Sequence, residues 1–151
     1  MEQLYNSITR CIISIFDYFD RHRIITERIT NEPYLERYYL FLKDRQSFPC
    51  NIFLHKFLKS DPDDLHDHPW SYITIILYGG YWEHTLQGKF WRKPFHIYWN
   101  SSETLHRVEL DPEIKHCWTL FIPLQKQREW GFLTEHGWIH NEKYLYNKKT
   151  S

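Results

Sequence analysis

Ten histidines are spread over 151 residues, and two of them, His66 and His68 in LHDHPW, stand one residue apart. In an extended chain alternate side chains leave the same face, so both imidazoles can reach one ion. Neutral imidazole binds most first-row divalent metals, but two ligands do not make a durable site. A third donor has to come from another part of the fold. His106 in ETLHRVEL is the best placed, on a separate strand-like segment that a rolled sheet can bring opposite the pair. His22 sits among arginines, His136 and His140 fall in a late loop, and His55, His84, His96 and His116 have no partner at ligand spacing. These seven read as solvated or core-satisfied imidazoles.

The residues around the trio suggest what could serve it. Tyr72 shares the parity of His66 and His68 if the strand is regular, which turns its hydroxyl toward the same space as a catalytic hydrogen-bond donor or a packed ring. Glu83 in YWEHT is either a fourth ligand or general base, or one half of a cross-strand ion pair. A ligating imidazole usually gives its second N–H to a carboxylate or carbonyl; Asp64, Asp67 and Glu109 are the nearby acids. Asp67, lying between the histidines, points to the opposite face and suits a structural contact. Arg92, Arg107 and Arg128 offer guanidinium forks, Arg107 on the face away from its neighbour His106. Trp130 and Trp138 are candidates to close a cavity.

The elements that must position these residues are mostly strands. IITERI, YLERYYLFL, NIFLHKFL, WSYITIILY, YWEHTL, KFWRKPFHIYW, HRVEL and HCWTLFIPL are rich in β-branched and aromatic residues, and the aromatic tail adds to them. Gly79-Gly80 supplies the positive φ angles of a tight hairpin, and prolines at 33 and 49 punctuate earlier turns. Before the strands, Leu4, Ile8, Cys11, Ile12, Ile15 and Phe19 recur at helical spacing, predicting an amphipathic helix from about Gln3 to Arg21. The pattern is that of an antiparallel sandwich or small barrel, capped by a helix, as a single domain over 1–151 with the barrel spanning about 24–146. Only NKKTS at the end reads as frayed.

Composition excludes several classes. Basic and acidic residues number 19 each, which leaves no basic stripe for nucleic acid and no field toward an anionic membrane. No apolar run reaches the roughly 20 residues of a spanning helix, and the first segment is too polar for a signal peptide. Three cysteines at no ligand spacing suit reduced thiols, and together these features predict a cytoplasmic protein. No GxSxG elbow supports a serine hydrolase. Seven tryptophans among 19% aromatic residues favour a β-rich fold with a ring-walled cavity.

HDH, an apolar strand into a glycine turn, and a later LHRVE together resemble the two-motif pattern of the cupin superfamily over roughly Asn51 to Pro123. The resemblance implies a double-stranded β-helix, a jelly-roll-like barrel with a metal inside. Where most cupins carry a glutamate ligand, Tyr72 or Ile73 stands. What is left is the three-histidine set His66, His68 and His106.

That set is most similar to cupins of the cysteine dioxygenase type, which implies Fe(II) and an oxygenase acting on a small molecule. Zn, Ni or Mn in a non-redox isomerase, epimerase or hydrolase, or a metal-stapled binding module, are the alternatives. In that family an arginine upstream of the histidine pair holds the substrate carboxylate; here the position falls near Leu40, with Arg37, Lys43 and Arg45 close by. The late serine, histidine and tyrosine of that family correspond to Thr119, Phe121 and Pro123. HDHPW, GGYWEHT, HRVEL and REWGF in that order also resemble a group of small cupins of bacteria, phages and large DNA viruses, from about Tyr34 onward. The exposed strand edges of such barrels imply a homodimer.

Overall fold

The computed structural model describes residues 10–11, 13–27, 30–43 and 48–150, the last two without their side chains. Residues 10, 11 and 13–18 are helical and form α1; of the helix predicted from Gln3 to Arg21, residues 3–9 and 12 fall outside the described residues, and the helix ends in a turn at 19–20, with Asp20 at φ of 51°. Twelve strands follow: β1 (His22–Thr26), β2 (Pro33–Tyr39), β3 (Phe53–Phe57), β4 (Leu65–His66), β5 (Trp70–Tyr78), β6 (Tyr81–Thr85), β7 (Gly88–Arg92), β8 (Ile97–Asn100), β9 (His106–Glu109), β10 (Cys117–Lys126), β11 (Gly131–Thr134) and β12 (Gly137–His140). The helix α2 (Asn141–Thr150) closes the chain.

The strands make two six-stranded antiparallel sheets, ordered β1-β2-β3-β10-β5-β8 and β12-β11-β4-β9-β6-β7. Alternation along the central strands decides which side chains fill the space between them. On β5, Tyr72, Thr74 and Ile76 are buried while Ile73 and Ile75 are half-buried outside; on β10, Cys117, Thr119, Phe121 and Pro123 point inward. One apolar cluster gathers Ile76, Tyr81, Val108, Leu110 and Cys117, and a second gathers Phe53, Tyr72 and Phe121. Between the clusters lies the polar site described below.

The hairpin from β5 to β6 needs both of its glycines. Gly79 and Gly80 have φ of 83° and 106°, and a Cβ on Gly80 would sit 2.6 Å from the Trp91 ring. Pro123 lies in β10 just past Phe121, where the β3 register ends, and its carbonyl still accepts the Asn51 N–H at 3.1 Å.

Three expectations are corrected. KFWRKPFHIYW is two strands in different sheets, β7 and β8, because the chain turns at Pro94 and Phe95, the latter with φ of 64°. The chain's last stretch is helical rather than extended or frayed, so the strands end at His140 and not near 146. Tyr144 on α2 stacks on Phe132 at 3.9 Å between ring centroids, and Lys148, one turn on, pairs with Asp63 at 2.7 Å. Two anchors on one face pin this helix to the barrel. The described part of α1 does not bury the predicted stripe either: Cys11, Ile15 and Phe19 are exposed, and Phe16 meets Tyr38 edge-on at 5.4 Å.

Candidate metal centre

Three short pieces of one sheet place the three histidines. β4 holds His66, the loop after it holds His68, and β9 presents His106 directly opposite His66 in register. The β6 pairing sets the inward face of β9, where His106 and Val108 are buried and Arg107 and Glu109 point outward. The ligand nitrogens of His66, His68 and His106 all lie within 4.8 Å of one another, and Nε2 of His68 is 2.9 Å from Nε2 of His106. Nitrogens sharing one ion at about 2.1 Å sit about 3–4 Å apart. The cluster is that geometry with small ring adjustments.

The donor chemistry fits a divalent metal. His106 gives its Nδ1–H to Glu83 Oε1 at 3.0 Å, which leaves Nε2 as the lone pair facing His68. His66 Nδ1 is 3.3 Å from the backbone carbonyl of Asp64. Burial, reinforced by the neighbouring imidazoles, holds His68 well below the ordinary histidine value, and burial with His106 lowers His66. Both are therefore held neutral, the form in which an imidazole can bind a metal.

Glu83 is 1% exposed and its two oxygens are already engaged, one by His106 and the other by Arg92 at 2.5 Å. Burial alone would raise its carboxyl, but the hydrogen bonds and charges of His106 and Arg92 outweigh that and keep it below the usual range. It orients His106 from behind, a part the sequence had offered to Asp64, Asp67 or Glu109. Asp64 contributes only its backbone carbonyl to His66, and its carboxylate takes the Tyr144 hydroxyl. Glu109 pairs with His84 and Lys89 on the outer face. The signal for Glu83 was its parity: Glu83 pairs with Val108, one step along β9 from His106.

Tyr72 is 1% exposed and its hydroxyl donates to His106 Nε2 at 3.1 Å, so it does face the cluster. Burial, then the Glu83 charge, pushes this phenol well above its ordinary value, and it stays protonated.

The cluster opens on a cavity of ≈ 130 Å³ walled by Tyr34, Phe57, Trp70, Tyr81 and Phe121. One side of it brings together residues that the sequence reading named separately and did not join to the site. Arg37, His55 and Thr119 stand in register on β2, β3 and β10 and all line this space. Arg37 donates Nε–H to His55 Nε2 at 2.9 Å and lies over the Phe53 ring, and among the described residues no acidic side chain pairs with it. Thr119 Oγ1 is buried without a hydrogen-bond partner. Leu40, at the position the resemblance pointed to, is exposed; Lys43 pairs with Asp20; Arg45 is outside the described residues. Of the other histidines, His84 binds Glu109, His116 stacks on Tyr78 and His136 is exposed. Trp130 packs near His66, and Trp138 reaches Asp67 instead of the cavity.

No protein-family model matches the chain, and no curated protein matches it by sequence. Solved structures do. A cupin-2 domain protein of Rhodospirillum rubrum superposes with a TM-score of 0.60 at 14% identity, over 77% of this chain and 76% of that one. HppE in its Fe(II) form gives 0.56 at 11% identity, over 70% of this chain and 57% of that one. The polyketide cyclase RemF of Streptomyces resistomycificus gives 0.52 at 15%, over 74% and 78%. The chain has the fold of the cupin-2 domain protein. Among the described residues no helix is long and apolar enough to cross a membrane.

Proposed function

We propose that the chain is a metal-dependent cupin enzyme of the three-histidine type, with His66, His68 and His106 holding Fe(II) and a small molecule as substrate in a dioxygenase-like oxidation. The observation that carries this reading is the convergence of three inward imidazoles, His106 buried and His66 and His68 half-buried, on the wall of a ring-lined cavity, with the tautomer of His106 set by Glu83. His66, His68 and His106 would hold the ion, and a ferrous ion held only by these three side chains would supply open positions for substrate and dioxygen. The likeness to an Fe(II) protein of the same fold supports the choice of iron.

The chain's own residues would do the rest. Arg37 supplies a buried guanidinium for an anionic group of the substrate, and the unpartnered Thr119 hydroxyl offers a hydrogen bond nearby. Tyr72, kept protonated, can donate a proton or hydrogen bond beside His106. The walls exclude water around these groups. A non-redox reaction with Zn, Ni or Mn is the second reading, because an all-imidazole set accepts these ions and a cyclase shares the fold. A homodimer in the cytoplasm remains the expected setting.

Elemental analysis of anaerobically purified protein tests this, followed by oxygen-electrode screening of small carboxylates, thiols and amino acids. Bound iron with substrate-dependent oxygen uptake is expected. Full zinc occupancy with no exchangeable water would overturn the oxygenase reading.

A further inference from the structure

We infer that Asp67, together with Arg128 and the β11–β12 hairpin, is the device that positions the histidine cluster, so that the C-terminal hairpin is a working part of the metal centre. This rests on the reading of His66, His68 and His106 as metal ligands.

Asp67 lies between two of those ligands, and its side chain leaves the opposite face. It is 1% exposed there, a costly place for a carboxylate unless donors surround it. Three do: the Gly131 N–H at 2.7 Å, the Trp138 indole N–H at 3.0 Å and Arg128 Nη1 at 3.1 Å. The Asp67 N–H in turn donates to the Gly131 carbonyl at 3.1 Å. Charge-assisted bonds of this kind are the strong ones, and together they hold the backbone of the residue on which the spacing of His66 and His68 depends.

Arg128 extends the hold to the third ligand. Its Nη1 also reaches the carbonyl of Ser102 at 3.5 Å, and the same carbonyl accepts the His68 N–H at 3.4 Å. Ser102 is in the turn that leads into β9 and His106. One guanidinium therefore ties the loop of Asp67 and His68 to the turn that leads into β9 and His106. The hairpin itself is tightly closed, since a Cβ on Gly131 of β11 would lie 2.2 Å from the Ile139 carbonyl of β12. Groups that orient ligands from outside typically change metal affinity by about 10–100-fold when removed.

The test is titration with Co(II), read by its visible d–d bands, and with Zn(II) by competition with a chelating dye. Asp67→Asn keeps the side-chain shape and removes the charge; its Co(II) dissociation constant should rise about 10–100-fold, with shifted bands, while the apo protein keeps its far-ultraviolet circular dichroism. Arg128→Gln, at a partly exposed position, and Trp138→Phe each remove one donor and should give smaller rises in the same direction. They decide the matter if Asp67→Asn does not fold. Folded variants with wild-type affinity and spectrum would overturn the positioning role and leave the metal reading standing. A wild-type chain that takes up neither ion would overturn both.

Discussion

Glu83 reaches from β6 to the back of His106 on β9, Oε1 to Nδ1 at 3.0 Å, while its other oxygen holds Arg92. A carboxylate read in the sequence as ligand, base or ion-pair partner thus stands one atom layer behind the cluster. Glu83→Gln should weaken metal binding about 10–100-fold, measured by chelator competition. Left without its acid, Arg92 should lower stability by about 1–3 kcal/mol in denaturant melts.

His106→Ala removes the one cluster member that touches both His68 and Tyr72. Purified under metal-replete conditions, it should carry only a trace of the wild-type metal, because two imidazoles alone hold an ion poorly. Wild-type metal content in this variant would remove His106 from the ligand set.

Tyr72→Phe deletes a hydroxyl and keeps the ring that packs on Phe121 and His68. Metal content and melting temperature should stay close to wild type. Substrate-dependent turnover should fall about 10²–10⁴-fold if the hydroxyl moves a proton. Unchanged turnover would make Tyr72 a packing residue.

Cys117 is fully buried, and burial raises its thiol from an ordinary 9 to about 11. Alkylation proceeds through the thiolate, so iodoacetamide at pH 8 should label exposed Cys11 and spare Cys117 until the protein unfolds, read by peptide mass mapping. The folded thiol holds its proton more tightly than the unfolded one. Its contribution to stability is therefore complete below pH 9 and lost as pH rises toward 11.

Gly131→Ala forces a methyl group against the Ile139 carbonyl and the Trp138 ring. A loss of about 1–3 kcal/mol is expected from overpacking, with metal affinity falling alongside because the hairpin that grips Asp67 must shift. Loss of stability with unchanged metal affinity would separate the hairpin from the site.

Much of this was legible in residue order. The alternation of WSYITIILY placed Tyr72 inside, the Gly79-Gly80 pair required a hairpin, and the spacing of His66 and His68 named a shared face, since these are properties of a few neighbouring residues. The terminal helix was not legible. Its aromatic residues suit a strand as well as a helix, and only docking of Tyr144 on Phe132 and Lys148 on Asp63 selects the helix.

The sequence by itself offered the candidate ligands, three imidazoles with no carboxylate at Tyr72 or Ile73, and enough ring and β-branched residues for a barrel. Tertiary structure alone decided which groups stand behind and across from those imidazoles. Strand pairing brings Glu83 to His106, lines Arg37, His55 and Thr119 across three strands, and lowers the hairpin onto Asp67. Register between distant strands is a sum of many weak side-chain preferences, and no single stretch of residues carries it.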